Sequence, residues 1–244
     1  LRIADIAAAI KPDDPHFART RLVVLENTTG GQVLPPAYIA EVAQLARSRG
    51  LAMHLDGARM FNAATANAAR NGTDVYDEAR ALCSHFDSAS LCLSKGLGAP
   101  VGSLVLGSRD FIRQARRTRK ILGGGMRQAG VLAAAGHYAL QHHVRRLAED
   151  HARLDRLAQG LAEANRSHPA LQGKITVLPW QTNILFTDLH AEVAPAFTAW
   201  LAQHGVRVTS SLYGGATRLR WVTHLDVSEA DVTAALDCVA RFAG

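Results

Sequence analysis

The sequence predicts an α/β protein, in which a mostly parallel sheet domain wrapped by helices is followed by a small C-terminal α+β domain. In the first half of the chain, short apolar runs alternate with longer helical segments, which is the spacing of right-handed β–α–β crossovers. From Leu171 onward the runs are shorter, and predicted strands outnumber helices. We therefore predict a large domain over residues 1–125, a connecting long helix over 126–165 and a small domain over 166–244.

The composition limits the class of protein. A chain of 244 residues, 48% of them hydrophobic, can bury a sizeable core. No apolar run is long enough to span a bilayer, and the first residues do not have the pattern of a signal peptide. We therefore expect no membrane association. The three cysteines have no metal-like spacing, so we also expect no metal and a reducing compartment, the cytoplasm.

Basic residues give the chain a net charge of +6, and five of them fall between residues 113 and 120. Such a cluster could bind nucleic acid. However, no aromatic residues are interleaved with it, and no nucleic-acid motif accompanies it. We favour a solvated helix face, of which one or two residues contact a small anion.

Local signals set the bounds of the elements in the first half. Pro35 and Pro36 suit the first turn of a helix, and Gly50 suits the residue that follows its end. Apolar runs bounded by turn residues predict buried strands. On these grounds we predict strands over 21–26, 51–55, 88–94 and 102–106, and helices over 1–10, 35–50, 59–70, 75–82 and 110–121.

Three of these strands deliver polar residues to one edge of the predicted sheet. Glu26 and Asn27, then Asp56, then Lys95 follow the first three strands, and ligands bind at the carboxyl ends of strands in open α/β sheets. A partly desolvated lysine at such an edge can lose its proton and form a Schiff base with a carbonyl. Because polar residues follow most strands, this convergence alone is only suggestive.

In the second half, Gly123–Gly125 precede Arg127, a pattern that suits either a phosphate site or a hinge. One or two long helices are predicted over 126–164. Arg218 and Arg220 alternate along a strand, so both face one side, where one could bind a carboxylate or both could be solvated. The other predictions are strands over 174–177, 183–187, 206–209 and 217–222, helices over 196–204 and 229–242, and a capping box from Ser228 to Asp231.

Five motifs follow one another along the chain: Glu26-Asn-Thr28, His54-Leu-Asp-Gly-Ala-Arg59, Leu93-Ser-Lys-Gly-Leu-Gly-Ala-Pro-Val-Gly-Ser103, Gly123-Gly-Gly-Met-Arg-Gln-Ala-Gly130 and Arg220-Trp-Val-Thr-His-Leu-Asp226. In this order they resemble the motifs of the low-specificity L-threonine aldolases, and the resemblance covers essentially the whole chain. The resemblance implies the aspartate-aminotransferase fold, fold type I, of enzymes that depend on pyridoxal 5'-phosphate (PLP).

The resemblance implies that PLP is bound by Lys95, Asp56, Arg59, Arg127 and Lys120. Lys95 is similar to the lysine that holds PLP. Asp56 is similar to the carboxylate that faces the pyridine nitrogen and keeps it protonated, which makes the ring an electron sink. Arg127 matches an arginine that reaches the cofactor phosphate from the neighbouring subunit, and Lys120 matches a lysine at the same interface.

The resemblance also implies how the substrate is bound and cleaved. Arg59 and Arg220 are similar to the pair that grips the substrate carboxylate, and His16 matches a histidine near the β-hydroxyl. The implied reaction breaks the Cα–Cβ bond of L-threonine, L-allo-threonine or a related L-β-hydroxy-α-amino acid and gives glycine and an aldehyde, a step of threonine catabolism and glycine biosynthesis. Lys95, Asp56 and His16 are the candidate catalytic residues, although a bound water could replace His16 as the base.

The implied assembly is a homodimer or homotetramer with active sites shared between subunits. Three alternatives stay open beside the aldolase: another fold-type I PLP lyase, an enzyme like glycine hydroxymethyltransferase, and a non-catalytic fragment that acts in assembly. The Asp-Gly-Ala-Arg and Gly-Gly-Gly-Met-Arg-Gln runs argue against the first two. Modification of Lys95 by PLP would exclude the third.

Two departures from the family pattern carry expectations. Thr29 stands where many relatives have a histidine after Glu-Asn-Thr, which removes one loop contact. The family's N-terminal segment, with a phosphate-binding turn and a histidine that stacks on the ring, precedes the position of residue 1. The chain therefore resembles the C-terminal part of an aldolase, and we expect the 1–244 polypeptide alone to bind PLP poorly.

Overall fold

The computed structural model describes residues 1–210, 215 and 217–244. The chain divides into two compact units, the first comprising Leu1–Thr29 and Val33–Val144, the second Gly30–Gln32 and Arg145–Gly244. The main division falls inside the predicted connecting segment 126–165. Among the described residues, no helix is both long and apolar enough to cross a membrane.

The first unit is built on a sheet whose described strands lie in chain order. These strands are β1 (Leu22–Glu26), β2 (Ala52–Asp56), β3 (Ser88–Cys92) and β4 (Ser103–Gly107). The pairs β1–β2 and β2–β3 are parallel, whereas β4 runs antiparallel to β3. The register sets Glu26 beside Asp56 and Asp56 beside Ser90, so β1, β2 and β3 end at a common edge, as predicted.

Helices of the first unit connect and cover these strands. Those described are α1 (Ile3–Ala9), α2 (Pro36–Ser48), α3 (Met60–Asn71), α4 (Val75–Cys83), α5 (Arg109–Ile121) and α6 (Gly130–His142). Pro36 opens α2, and the helix packs Ile39 and Val42 in one buried cluster with Leu25 of β1 and Met53 of β2. This apolar stripe, repeated at helical spacing, holds α2 against the sheet.

The second unit contains a small antiparallel sheet and three described helices. Its elements are α7 (Leu147–Ser167), β5 (Ile175–Val177), β6 (Ile184–Leu189), α8 (Ala194–Gln203), β7 (Thr209–Ser210), β8 (Arg218–Val222) and α9 (Glu229–Ala240). The strand order is β5-β6-β8-β7. Leu154, Leu161, Phe197 and Leu219 are completely buried between this sheet and its helices.

The predicted capping box is confirmed at the start of α9. The Ser228 hydroxyl oxygen accepts from Asp231 N at 3.2 Å, and Asp231 Oδ2 accepts from Ser228 N at 2.8 Å. Most other predicted elements are present with small shifts of their bounds. Two segments differ from the prediction, and both differences have a local cause.

The first difference concerns the connecting helix over residues 126–165, which is divided into two helices, the other of the two arrangements that the sequence left open. α6 ends at His142 and α7 begins at Leu147. At the turn between them, His143 Nδ1 lies 2.6 Å from the carbonyl oxygen of Leu97 in the first unit. Arg146 instead bonds to Asp150 inside α7, at 2.7 Å. The two ends of the turn therefore belong to different units.

The second difference lies in residues 206–209, where the predicted strand was wrong for its first three residues. The chain leaves α8 through Gly205, whose φ is +80°, and Val206 N donates back to Leu201 O at 2.8 Å. That bond takes Val206 out of the sheet ladder. Only Thr209 and Ser210 pair with β8.

Candidate active site

Backbone hydrogen bonds join β1, β2 and β3 at their common edge, just past the strand ends. Asn27 N donates to Asp56 O at 3.0 Å, and Gly57 N donates to Ser90 O at 2.9 Å. These bonds continue the parallel ladder one residue past each strand. Asp56 therefore sits at the centre of the edge on a backbone that is fixed on both sides.

The turn after β2 explains the Asp-Gly-Ala-Arg run. A Cβ on Gly57 would lie 2.7 Å from the carbonyl oxygen of Ser90, so only glycine lets β2 stay this close to β3. The half-buried carboxylate of Asp56 accepts from Ala58 N at 3.2 Å, which orients it over the turn. Arg59, also half-buried, follows at the N-cap of α3. One short turn therefore carries a carboxylate and a guanidinium.

Lys95 lies on a compact loop just past the end of β3. Gly98 N donates to Lys95 O, and Ala99 N donates to Leu93 O, both at 2.9 Å. Leu93 and Leu97 are buried and anchor the loop. The Lys95 side chain itself is exposed in this chain, so the partial desolvation expected from the sequence is not present here.

Two buried polar residues follow β1 and were assigned no role by the sequence. Asn27 and Thr28 are 0% and 1% exposed. Asn27 Oδ1 accepts from Leu34 N at 3.2 Å, but Asn27 Nδ2 and Thr28 Oγ1 have no hydrogen-bond partner among the described residues. Buried polar atoms are nearly always paired, so these two atoms call for a partner from outside the described chain. The signal was the Glu-Asn-Thr motif at a strand end.

His16 lies on the exposed loop that precedes β1. Its Nδ1 is 2.8 Å from Asp14 Oδ1, which also accepts from His16 N at 2.8 Å. Within the described part of the chain, no hydrogen bond or ion pair joins His16 to Asp56, Arg59 or Lys95. The loop leads into the amino end of β1, whereas Asp56 and Lys95 follow the carboxyl ends of their strands. Among the described residues, His16 therefore has no bond to this set, and its role as the base stays a prediction.

Lys120 and Arg127 flank the glycine run after α5, and both side chains are exposed. A Cβ on Gly125 would lie 2.6 Å from Cδ of Lys120, so the run lets the chain fold over the lysine stem. Large apolar side chains in the same segment are also exposed. This segment, which we call the 121–131 patch, exposes Ile121 at 72%, Leu122 at 80%, Met126 at 63% and Val131 at 73%.

Arg220 and Arg218 lie on β8 of the second unit and differ in their partners. Arg218 Nε and Nη2 donate to Asp188 Oδ1 and Oδ2 at 2.6 and 2.7 Å, and this fork holds the pKa of Asp188 below its usual value. Arg220 is half-buried and makes no hydrogen bond or ion pair with any residue that the structure describes. Within the part of the chain that the structure describes, Arg218 thus has a carboxylate partner and Arg220 has none.

Comparisons with known proteins show the family and the fold of the chain. A sequence profile of the beta-eliminating lyase family matches residues 1–183. The chain belongs to this family. In the described residues of this beta-eliminating lyase family member, no cluster of His, Cys, Asp and Glu could hold a metal ion.

Individual relatives are L-threonine aldolases. The low specificity L-threonine aldolase of Escherichia coli O157:H7 is 45% identical over 228 residues, which are 93% of this chain and 62% of the relative. The probable low-specificity L-threonine aldolase 2 of Arabidopsis thaliana is 40% identical over 248 residues, 99% of this chain and 65% of the relative. The resemblance predicted from the motifs is confirmed. The chain spans less than two thirds of the length of these two relatives.

A solved threonine aldolase of Leishmania major shares the fold. Its TM-score is 0.75 at 20% identity, and the match covers 99% of this chain and 67% of that structure. The predicted fold class, a fold-type I sheet domain with a small C-terminal α+β domain, is therefore confirmed.

Proposed function

We propose that this protein is a PLP-dependent L-threonine aldolase. It would cleave L-threonine, L-allo-threonine and related L-β-hydroxy-α-amino acids to glycine and an aldehyde. The observation that carries the proposal is that Asp56 and Lys95 follow the carboxyl ends of two neighbouring parallel strands, which backbone hydrogen bonds join at this edge. The 45% identity to the E. coli aldolase supports the same reaction.

The residues at this edge fit the chemistry of PLP. Lys95 offers an amine for the cofactor's aldehyde carbon, and Asp56 offers a carboxylate that can keep a ring nitrogen protonated. Asn27 Nδ2 and Thr28 Oγ1, which lack partners in the described chain, can hydrogen-bond to a polar ligand. When bound, PLP supplies an electron sink for the substrate α-carbon.

The chain's own side chains would bind the substrate and move its proton. Arg220 offers a fork of N–H donors that matches a carboxylate. Arg59 is proposed to bind the cofactor or the substrate carboxylate. His16 Nδ1 lies 2.8 Å from the carboxylate of Asp14, and its Nε2 has no hydrogen bond to another described residue. Removal of the β-hydroxyl proton, by His16 or by water, lets that carbon become the aldehyde as the Cα–Cβ bond breaks.

We also propose that the protein self-associates as a homodimer or homotetramer. The 121–131 patch supports this, because monomeric proteins rarely expose several large apolar side chains together. Arg127 and Lys120 lie in or next to the patch, so a partner subunit seated there would be close to both. We propose a cytoplasmic location as well. The proposed domain organisation is a large domain over residues 1–125, a connecting helix over 126–165 and a small domain over 166–244.

The test is borohydride reduction of the protein after incubation with PLP, followed by peptide mapping. The proposal predicts a yellow protein whose label maps to Lys95. Because we expect the 1–244 polypeptide to bind PLP poorly, the same test is made on this polypeptide extended by the preceding segment of the E. coli relative. Absence of label at Lys95 in both polypeptides would contradict the proposal.

A second candidate function is β-elimination, which the name of the family favours. The two reactions give different products from one substrate. Aldol cleavage of L-threonine gives glycine and acetaldehyde, whereas elimination gives ammonia and a 2-oxo acid. An assay for acetaldehyde and ammonia in the same sample distinguishes them, and we expect acetaldehyde.

A further inference from the structure

The second unit contains a cavity of about 400 Å³ beside the end of β8, and the proposed aldolase chemistry uses none of its lining residues. Three stretches form most of its walls, namely residues 204–208 after α8, residues 221–223 at the end of β8, and the first turns of α9 at 231–235. Leu157 and Val227 complete the lining. All of them belong to the second unit.

The cavity exists because the ladder between β7 and β8 opens. Thr209 pairs with Arg220, and the same antiparallel register continued by one residue would pair Val208 with Trp221. The chain instead turns away, since Val206 N donates to Leu201 O at 2.8 Å. The two segments therefore diverge where a longer strand was predicted, and the space between them is left open.

The inner walls of the cavity are apolar. Trp221 and Val232 are 4% and 2% exposed, and Val206, Val208 and Ala235 are half-buried members of the same core. Binding sites for small molecules have volumes of about 300–1,000 Å³ and are mostly apolar with a few polar groups. The cavity is therefore suited to a small ligand with an apolar body, and it is too small for more than a few residues of a peptide.

The exposed lining residues carry charges of both signs. Arg207 makes no ion pair or hydrogen bond with other described residues. Asp231 Oδ2 accepts from Ser228 N and Oγ at 2.8 and 2.6 Å, which lowers the pKa of that carboxyl, and its Oδ1 has no described partner. His204, the third exposed polar residue, directs Nδ1 to Trp200 O at 2.8 Å. One unpaired cation and one partly free carboxylate thus accompany an apolar cavity.

We propose that this cavity binds a free α-amino acid with an apolar side chain. Arg207 would bind the carboxylate, Asp231 would bind the ammonium group, and the side chain would occupy the space between the diverging strands. A fatty acid would leave Asp231 unpaired, and an amine would leave Arg207 unpaired. The ligand that matches both charges and the apolar walls is a zwitterion. None of the lining residues is among the proposed catalytic, cofactor-binding or substrate-binding residues.

The test is a titration of the isotope-labelled protein with L-leucine, without PLP, followed by backbone amide NMR. We expect saturable shifts confined to residues 204–208, 221–223 and 231–235. The analogues 4-methylpentanoate, which lacks the amine, and 3-methylbutylamine, which lacks the carboxylate, should bind more weakly. Each lost charge contact at an exposed rim should weaken binding by about fivefold.

Variants locate the ligand. Arg207→Gln should weaken L-leucine binding by about fivefold, while Arg241→Gln, which removes an exposed charge at the other end of α9, should not. Ala234→Trp should abolish binding, because the exposed Ala234 lines the cavity and a large ring there would fill its opening. Asp231→Asn also disturbs the helix cap, so Ser228→Ala, which weakens the same cap but keeps the carboxylate, is its control.

Three results would overturn the proposal: no saturable shifts, equal affinity for L-leucine and 4-methylpentanoate, or shifts centred on residues around Lys95. L-Leucine has no β-hydroxyl group and PLP is omitted. Failure of this experiment therefore says nothing against the proposed aldolase, and failure of PLP labelling says nothing against this cavity.

Discussion

Thr28 and Thr223 occupy equivalent places in the two units but are used differently. Each threonine follows the last residues of a strand, and each is 1% exposed. Thr223 Oγ1 donates to Asp150 O at 2.6 Å, and Asn183 Nδ2 donates to Thr223 O at 2.8 Å. Thr28 Oγ1, with equal burial, has no partner in the described chain.

This difference distinguishes a strand end whose hydroxyl bonds within the chain from one whose hydroxyl has no described partner and is proposed to bind a ligand. At Thr223 the chain supplies its own acceptor, so the hydroxyl joins β8 to α7 and contributes to folding. At Thr28 the hydroxyl is desolvated without compensation, which costs free energy unless another molecule bonds to it. The second unit has such an atom as well, because Thr198 Oγ1 is also buried without a described partner. Thr28 differs in that it lies next to the strand edge of the proposed active site.

The largest expected effect is at Lys95. Replacing it by alanine removes the only amine on the loop after β3, and we expect kcat for aldol cleavage to fall by at least about 10³-fold. The matched control is Lys174→Ala, which removes a surface lysine paired with Glu192 in the second unit and should leave kcat unchanged. Comparable kcat values for the two variants would reject the assignment of Lys95.

The next effect concerns His151, whose Nε2 is one of three buried polar atoms in the second unit without a described hydrogen-bond partner; the others are Arg153 Nε and Thr198 Oγ1. Burial lowers the pKa of His151 from 6.5 to about 4. The unfolded chain therefore takes up a proton between pH 6.5 and 4 that the folded chain does not, so stability falls as the pH is lowered through this range.

We expect His151 to cost roughly 3 kcal/mol of unfolding free energy between pH 7 and pH 4. His151→Phe should remove this part of the pH dependence in urea unfolding, whereas His190→Gln, at an exposed histidine, should keep it. If His151→Phe unfolds with the wild-type pH dependence, then this nitrogen has a partner and the contrast with Thr28 is weaker.

Thr223→Val removes a hydroxyl whose acceptor then stays buried. We expect a loss of about 1–3 kcal/mol in unfolding free energy, because the carbonyl of Asp150 loses its donor inside the protein. Urea unfolding at neutral pH measures it. A loss of unfolding free energy below about 0.3 kcal/mol would mean that water replaces the hydroxyl, so that the carbonyl of Asp150 is accessible to solvent.

Thr28→Val is the counterpart and should behave in the opposite way. Since Thr28 Oγ1 has no partner to lose, stability should be unchanged or rise by up to about 1 kcal/mol. PLP affinity of the extended polypeptide should fall by about 2- to 10-fold, the value of one hydrogen bond. A variant that loses stability but keeps its PLP affinity would show that Thr28 is structural, as Thr223 is.

Sequence signals predicted the elements and the common strand edge because those depend on local patterns. The apolar run before Asp56 and the glycines after Lys95 fix strand ends within a few residues. The resemblance then selected Arg220 from two arginines on one face. That choice stays a prediction, and the structure adds that Asp188 on the neighbouring strand engages Arg218.

Other features depend on partners far apart in the chain and could not be predicted. The burial of Thr28 and the exposure of Lys95 depend on whether residues distant in the chain pack against each side chain. The loss of the strand at Val206 follows from a competing bond to Leu201, which no β-propensity of the Val-Arg-Val run reveals. The turn between α6 and α7 lies where contacts change from one unit to the other, which helical periodicity does not show.

Gly57 limits how the proposed active site could be altered. Any side chain there would push against the carbonyl of Ser90, and the displacement would pass directly to Asp56, the residue before it. A mutant library that varies this turn would therefore shift the backbone and, with it, the position of the Asp56 carboxylate relative to the Lys95 amine. Libraries aimed at new substrates should hold Gly57 constant and vary positions whose side chains do not separate β2 from β3.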